Sequence, residues 1–364
     1  MVLLGKNMIL LAAIFNLSMI LFVLVLLWIL KHWQSRYPIA LTFLLGLLFI
    51  VLSLSVALIS PAVHFGKLQL MAWAIFLCFP LYLGGVAILF SKLKPAFAGT
   101  SAGLGICIVL IGLYASLIEP HWLEISHLTM SSVKIKEPIR VAVVADLQTD
   151  MPGKYEERVL NVVRQEMPDL ILLAGDYLQF LERDRYPAAQ RTLHDIFLRA
   201  DLTAPLGIYA VRGNVDPIQS WQGIFEGLPI SLFEQSSSID LGPVVLTGLT
   251  LEDSENIFLS IEGEDKFHIV LGHRPDFSLG EINAELLIAG HTHGGQIQLP
   301  FIGPLVTLSA VPRAWASGMT MISPGKILLV SRGIGLERGN APRMRLNCRP
   351  ELIILDLVPA ESSE

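Results

Sequence analysis

Four apolar runs open the chain. Residues 8–30, 38–60, 68–90 and 96–118 contain no Asp, Glu, Lys, Arg or His. Each is long enough to cross a hydrocarbon core, which takes roughly 20 residues at the helical rise. The pattern predicts four transmembrane helices within residues 1–122. The first run continues to Lys31 with no small-residue cleavage site, so it reads as a retained span and not as a signal peptide. None of the runs carries an ionisable side chain, and transport pathways usually do. An anchor is therefore the expected role.

The pattern changes at Arg140. Residues 123–139 read as a juxtamembrane connector, and a short β-rich run, Val141–Ala145, follows. Val159, Val162 and Val163 share one face of a helix expected near 154–166. Leu170–Ala174 and Ile208–Val211 read as further buried strands, with a helix near 187–200 between them. Strand signals then crowd together at 244–249, 267–271, 285–289, 327–331 and 352–357. Alternating strands and helices predict an α/β domain. The strand-rich second half favours a two-sheet sandwich with outer helices, an αββα arrangement, over a doubly wound sheet. The domain is expected to span 140–358, followed by a short tail at 359–364.

Charge sharpens this division. Of 26 basic and 32 acidic residues, six and one lie in residues 1–122, which leaves 20 and 31 beyond, a net of −11. So acidic a domain is a poor nucleic-acid binder, because phosphate contacts need a basic surface. Lys31, Arg36, Lys92 and Lys94 fall on one side of the predicted spans, and Lys6 and Lys67 on the other. By the positive-inside rule the first and third loops are cytoplasmic, which predicts an extracytoplasmic domain. The three cysteines, Cys78, Cys107 and Cys348, form no disulfide framework.

Ligand-type residues stand directly after the predicted strands. They are Asp146-Leu147-Gln148, Gly175-Asp176, Gly213-Asn214-Val215-Asp216, Gly272-His273 and Gly290-His291-Thr292-His293. Carboxyl ends of neighbouring strands share one edge of a sheet, so these residues are expected to converge. Mixed Asp, Asn and His donors suit Mn, Fe, Zn or Ni. Two ions about 3.5–4 Å apart can clamp a phosphate and activate water at neutral pH. His194 and His268 lie outside these stretches and read as structural, and Arg274 and Arg332 are left outside the site. Phe301–Val306 reads as a hairpin of the core, with an apolar lip for a lipid tail as the alternative.

In this order the five stretches resemble the calcineurin-like metallophosphoesterase superfamily, over residues 140–357. Gly290–Ile297, Val330–Gly335 and Asn347–Glu351 are similar to its membrane-linked bacterial branch, which includes phosphodiesterases and enzymes that cleave lipid-nucleotide pyrophosphates. The resemblance implies that Asp146, Gln148 and His293 bind one metal ion and that Asn214, His273 and His291 bind a second, with Asp176 bridging them. It implies Asp176, Asn214 and Asp216 as the catalytic group. Two positions depart from the family pattern. Gln148 stands where histidine is usual, and its harder oxygen shifts preference toward Mn or Mg over Zn. Val215 replaces a histidine that touches phosphate and can protonate the leaving group, a loss of about 10²–10⁴-fold if nothing substitutes. The expectation is a membrane-anchored dinuclear phosphoesterase acting on a phosphodiester or pyrophosphate, with a lipid-borne substrate suggested by the anchor. A non-catalytic metal-binding sensor or scaffold of the same fold is the alternative.

Overall fold

The computed structural model describes residues 2–33, 38–62, 64–180 and 183–360. Its contacts divide it into two compact units, Met1–Ile118 with Arg338–Arg343, and Glu119–Glu337 with Met344–Glu364.

The first unit is helical. Its helices are α1 (Val2–His32), α2 (Pro38–Ile59), α3 (His64–Trp73), α4 (Phe79–Phe90) and α5 (Pro95–Leu113). A π-helical turn, Ala74–Cys78, joins α3 to α4, and a second, Tyr114–Ile118, extends α5. Pro80 explains the first turn, because its missing N–H breaks the regular ladder one turn earlier. Among the described residues four helices are long and apolar enough to cross a membrane: Met8–His32, Pro38–Ile59, Phe65–Phe90 and Pro95–His121. Phe15, Met19, Val23, Leu26 and Leu30 recur at three- and four-residue intervals and are buried with Tyr82, Val86 and Phe90. The opposite stripe of α1, including Leu10, Leu17, Leu21 and Trp28, is exposed, an arrangement that suits lipid and not water.

The second unit is built on two six-stranded sheets. Its strands are β1 (Glu124–Ser132), β2 (Ile139–Val144), β3 (Leu170–Leu173), β4 (Ile208–Val211), β5 (Ser231–Phe233), β6 (Ser237–Asp240), β7 (Val244–Gly248), β8 (Phe267–Leu271), β9 (Leu286–Ala289), β10 (Gly318–Ser323), β11 (Lys326–Val330) and β12 (Glu351–Pro359). The first sheet runs β1-β12-β2-β3-β4-β5 and the second β10-β11-β9-β8-β7-β6. In the first, β2 through β5 are parallel and β12 runs antiparallel to β2. In the second, β7, β8, β9 and β11 are parallel, flanked by antiparallel β6 and β10.

Alternation along each strand sorts the core. Val141, Val143, Leu170, Leu172 and Val211 meet Leu246, Ile269, Leu271, Ile288 and Leu329 between the sheets. Ala142, Val144, Ile171, Leu173 and Ala210 point the other way, under α6 (Lys154–Gln165) and α7 (Tyr186–Ala200). Strands buried on both faces read as unbroken apolar runs, which is why they were visible in the sequence. On the outer face of the second sheet, Val270, Leu287, Leu328 and Val330 are covered by the short turn Pro275–Leu279 and by Trp315.

Two local readings change. The stretch expected as a connector contains β1, paired in parallel with β12 along its whole length. Its half-exposed, mostly polar alternation belongs to an edge strand, which buries only one row of side chains. The core hairpin expected over Phe301–Val306 is instead a hairpin of Gln298–Leu299 against Gly303–Pro304, and Phe301 and Ile302 at its tip are exposed and not core.

Candidate metal centre

The carboxyl ends of β2, β3, β4, β8, β9 and β11 open onto one edge of the sandwich, and their loops are stitched together by backbone bonds. Asp146 N–H donates to Gly175 O at 3.0 Å and Gln148 N–H to Asp176 O at 2.8 Å. Across the second sheet, Gly290 N–H donates to His273 O at 2.9 Å. Gly335 N–H reaches Asp146 O at 2.7 Å and so ties the loop after β11 to the loop after β2. The corners are tight. Asp146, Gln148, Asp176, His291 and His293 all have positive φ, between 33° and 69°. Asp and His tolerate the left-handed region better than most residues, and such corners gather at functional sites. Two glycines make room for the carboxylates. A Cβ on Gly290 would lie 2.7 Å from Asp146 Oδ2, and one on Gly213 would strike Asp176 Oδ1.

Asp176, His273 and His291 each bring one ligand-type atom within 4.8 Å of the others. His273 Nδ1 meets Ala174 O at 2.8 Å, and its Nε2 meets Asn214 Oδ1 at 2.9 Å and Asp176 Oδ2 at 3.4 Å. The backbone bond fixes the ring and turns Nε2 toward the cluster. Asp176 Oδ1 accepts from Val215 N–H at 2.9 Å. Asp146 is fully buried, and both of its oxygens accept from His291 N–H, at 3.0 and 3.1 Å. Gln148 Nε2 donates to Gln179 at 3.1 Å and to Glu337 at 3.0 Å, which fixes its amide plane. His291 Nε2 meets Leu308 O at 3.1 Å. His293 is buried, and its Nε2 has no hydrogen-bond partner among the described residues. Asn214 is exposed at the mouth, with Val215 half-buried beside it.

The electrostatics are those of a packed ionisable cluster. Burial pushes the Asp146 carboxyl up to about 7. Burial opposes charge on His273, but the Asp176 carboxylate outweighs it and raises the imidazole to about 9. Burial likewise opposes charge on Asp176, yet the His273 charge and hydrogen bond and the Val215 N–H hold it below its usual value. Burial, with the His273 charge, lowers His291 to about 4, and burial with the Arg345 guanidinium drives His293 well down. Both histidines are therefore neutral at pH 7, as metal ligands must be.

The donor set fits divalent ions. An unpartnered buried imidazole nitrogen costs stability unless something binds it, and His293 Nε2 is such an atom. Asp146, Gln148, Asp176, Asn214, His273, His291 and His293 all come from this one edge.

Asp216 differs from expectation. Its Oδ2 accepts from Asp176 N–H and Gly213 N–H, each at 2.8 Å, and its Oδ1 from Tyr177 N–H at 2.8 Å. With both oxygens engaged by backbone and the side chain buried, Asp216 positions the loops and does not face the opening. Burial and then the nearby Asp176 charge raise its carboxyl to about 6.

The sequence reading missed Glu337, Gln179 and Arg345. Arg345 is fully buried and donates to Gly335 O at 2.6 Å, Arg332 O at 2.8 Å and Cys348 O at 3.0 Å. A buried arginine looks like any surface arginine in sequence; the only signal was its place between the Val330–Gly335 and Asn347–Glu351 stretches. Arg274 pairs with Glu255 and Arg332 with Glu351. His194 meets Ile224 O at 3.1 Å and His268 meets Thr247 Oγ1 at 2.6 Å, both away from the cluster.

Comparison with known proteins agrees with the geometry. Residues 139–295 match the family described as Calcineurin-like phosphoesterase. An uncharacterised metallophosphoesterase, YkuE of Bacillus subtilis (strain 168), is 28% identical over 265 residues, covering 67% of this chain and 88% of its own. Phosphodiesterase YaeI of Escherichia coli (strain K12) is 25% identical, covering 74% of this chain and 98% of its own. The UDP-2,3-diacylglucosamine pyrophosphatase LpxG of Chlamydia muridarum (strain MoPn / Nigg) is 23% identical, covering 71% of this chain and 97% of its own.

Proposed function

Because residues 139–295 match the calcineurin-like phosphoesterase family, we propose that this chain is a membrane-anchored, dinuclear metal-dependent hydrolase of a phosphodiester or pyrophosphate. The observation that carries the reading is the convergence of Asp176, His273 and His291 on the shared strand edge. The family uses a pair of divalent ions. In our assignment Asp146, Gln148 and His293 would hold one, Asn214, His273 and His291 would hold the other, and Asp176 would be shared between them. The chemistry such ions would supply there is polarisation of a phosphoryl group and a lowered pKa for an attacking water. Mn is the favoured metal, because Gln148 supplies an oxygen donor where imidazole would favour Zn.

The chain's own residues prepare that site. Val215 N–H and His273 hold the Asp176 carboxylate ionised and oriented. The exposure of Asn214, whose Oδ1 meets His273 Nε2 at 2.9 Å, supports a role for it toward an incoming phosphoryl group. Val215 offers no proton to a leaving group, which favours substrates whose leaving group needs none. Pyrophosphates and activated diesters meet that condition better than alkyl monoesters. The LpxG name supports a pyrophosphate joined to a lipid.

We take residues 1–122 as the anchor and the catalytic domain as running to residue 358, with the 123–139 stretch adding its edge strand. The charge bias of the helical loops supports an extracytoplasmic domain. Val215 and Gln148 also keep a second reading open, a metal-binding scaffold without turnover. Hydrolysis of an aryl phosphodiester by the purified full chain with added Mn separates the two. Turnover that a chelator abolishes supports the enzyme, and metal binding without turnover supports the scaffold.

A further inference from the structure

The hairpin at 298–304 carries the most exposed apolar side chains near the site. Ile302 N–H donates to Leu299 O at 3.1 Å, closing a turn with Pro300 and Phe301 at its centre. Phe301 has φ +67°, a position where glycine is the unstrained residue. Phe301 is nonetheless fully exposed, and Ile302, Leu305 and Leu308 are exposed with it. An apolar group of this kind in a soluble setting marks an interaction surface.

Two chains of contacts say what kind. The first leads to the chemistry: Leu308 O accepts from Arg274 at 2.6 Å and meets His291 Nε2 at 3.1 Å, so the far end of the loop is bonded to a site histidine. The second leads to the place where the last apolar run ends. Glu119, the residue after Ile118, accepts from Cys348 N–H at 2.5 Å. Cys348 Sγ donates to His293 O at 3.2 Å, and Gln298 Nε2 donates to Gly294 O at 3.0 Å. Three linked residues therefore connect the start of the domain to the base of the hairpin. Exposed Trp122 lies at the same start, with the Arg349 guanidinium 4.4 Å over its ring. Trp with a basic neighbour is the residue pair of a membrane interface.

We propose that the hairpin tip, Phe301 and Ile302, enters the interfacial layer of the bilayer and holds the mouth of the site at the lipid surface. The proposal rests on the reading of the helices as a membrane anchor, and only its kinetic arm draws on catalysis. A lipid-borne phosphoester would then reach the site without leaving the membrane.

The test uses the full chain in vesicles of phosphatidylethanolamine and phosphatidylglycerol. With Cys107→Ala as background, a spin label is placed in turn at Phe301→Cys, Leu21→Cys and Glu226→Cys. Collision with a water-soluble nickel chelate is then measured. We expect the label at 301 to be at least fivefold less accessible than the label at 226. Equal accessibility at 301 and 226, with the label at 21 protected, overturns the hairpin proposal and leaves the anchor standing. An accessible label at 21 removes the anchor and the proposal together. Protection at 301 accompanied by dipolar broadening between chains overturns it in favour of a second copy. In a kinetic arm, Phe301→Asp with Ile302→Asp should lower the ratio of kcat/KM for bilayer-borne over water-soluble diester at least tenfold. An unchanged ratio counts against the proposal.

Discussion

The Asp216 carboxylate accepts the backbone N–H of Asp176 at 2.8 Å. The side chain of one strand-end residue thus fixes the backbone of the proposed bridging ligand from another. Replacing Asp216 by Ala strands three buried N–H groups, each a charge-assisted bond lost. We expect a loss of roughly 3 kcal/mol in stability and weaker metal retention. Asp216→Asn keeps one acceptor and should lose about half as much. Thermal melts with and without Mn check both, and wild-type stability in Asp216→Ala would show that the clamp is dispensable.

Two ions should bind per chain. Elemental analysis after Mn incubation should approach two for wild type, fall to one or below for Asp176→Ala, and fall to about one for His293→Ala, since His293 serves one ion alone. A wild-type value that stays at one contradicts the paired assignment.

The metal-free protein should lose stability between pH 6.5 and about 9. The folded-state pKa of His273 is raised to about 9, above the ordinary value of 6.5. Its contribution is complete below 6.5 and disappears as pH rises through 9. Its Nε2 proton is also what a cation would displace, so stabilisation by added Mn should grow over the same range. Melting temperatures in EDTA across this window test the sign. A flat or rising profile would contradict the His273–Asp176 pairing.

Position 215 should govern leaving-group dependence. Val215→His should raise kcat/KM on substrates with poor leaving groups more than on aryl diesters, by up to about 10²-fold. The measurement is kcat/KM against leaving-group pKa in both proteins. Equal slopes would mean that this position carries no acid role.

The domain should lie outside the cytoplasm. A C-terminal alkaline phosphatase fusion is expected to be active and a cytoplasm-only fluorescent fusion dark. The reverse result would place the site on the inner side.

Much of this arrangement was legible because it is local. β2, β3, β4, β8 and β9 are buried on both faces, so each announced itself as an apolar run, and each ligand follows such a run directly. β1 was not legible, because a half-exposed polar strand gains its identity only from pairing with β12. The part played by Asp216 was hidden for a similar reason. In sequence it belongs to the Asn214 stretch, whereas in space its oxygens serve Asp176, Tyr177 and Gly213. Arg345 and Glu337 could be found only once the fold had brought distant loops onto the site.

The place of β12 has a consequence for how the molecule is made. This strand lies between β1 and β2, and Ser126 Oγ bonds Glu351 across 225 residues of chain. During synthesis β1 can find no partner until the last strand emerges, and β2 keeps one side of its ladder unfilled for the same interval. Contacts of such long range are slow to form, and an open strand edge invites wrong pairing while it waits. A nascent chain stalled before residue 351 should therefore carry the helical segment and all of the ligand-bearing strands, yet expose two unpaired strand edges to any quality-control protease.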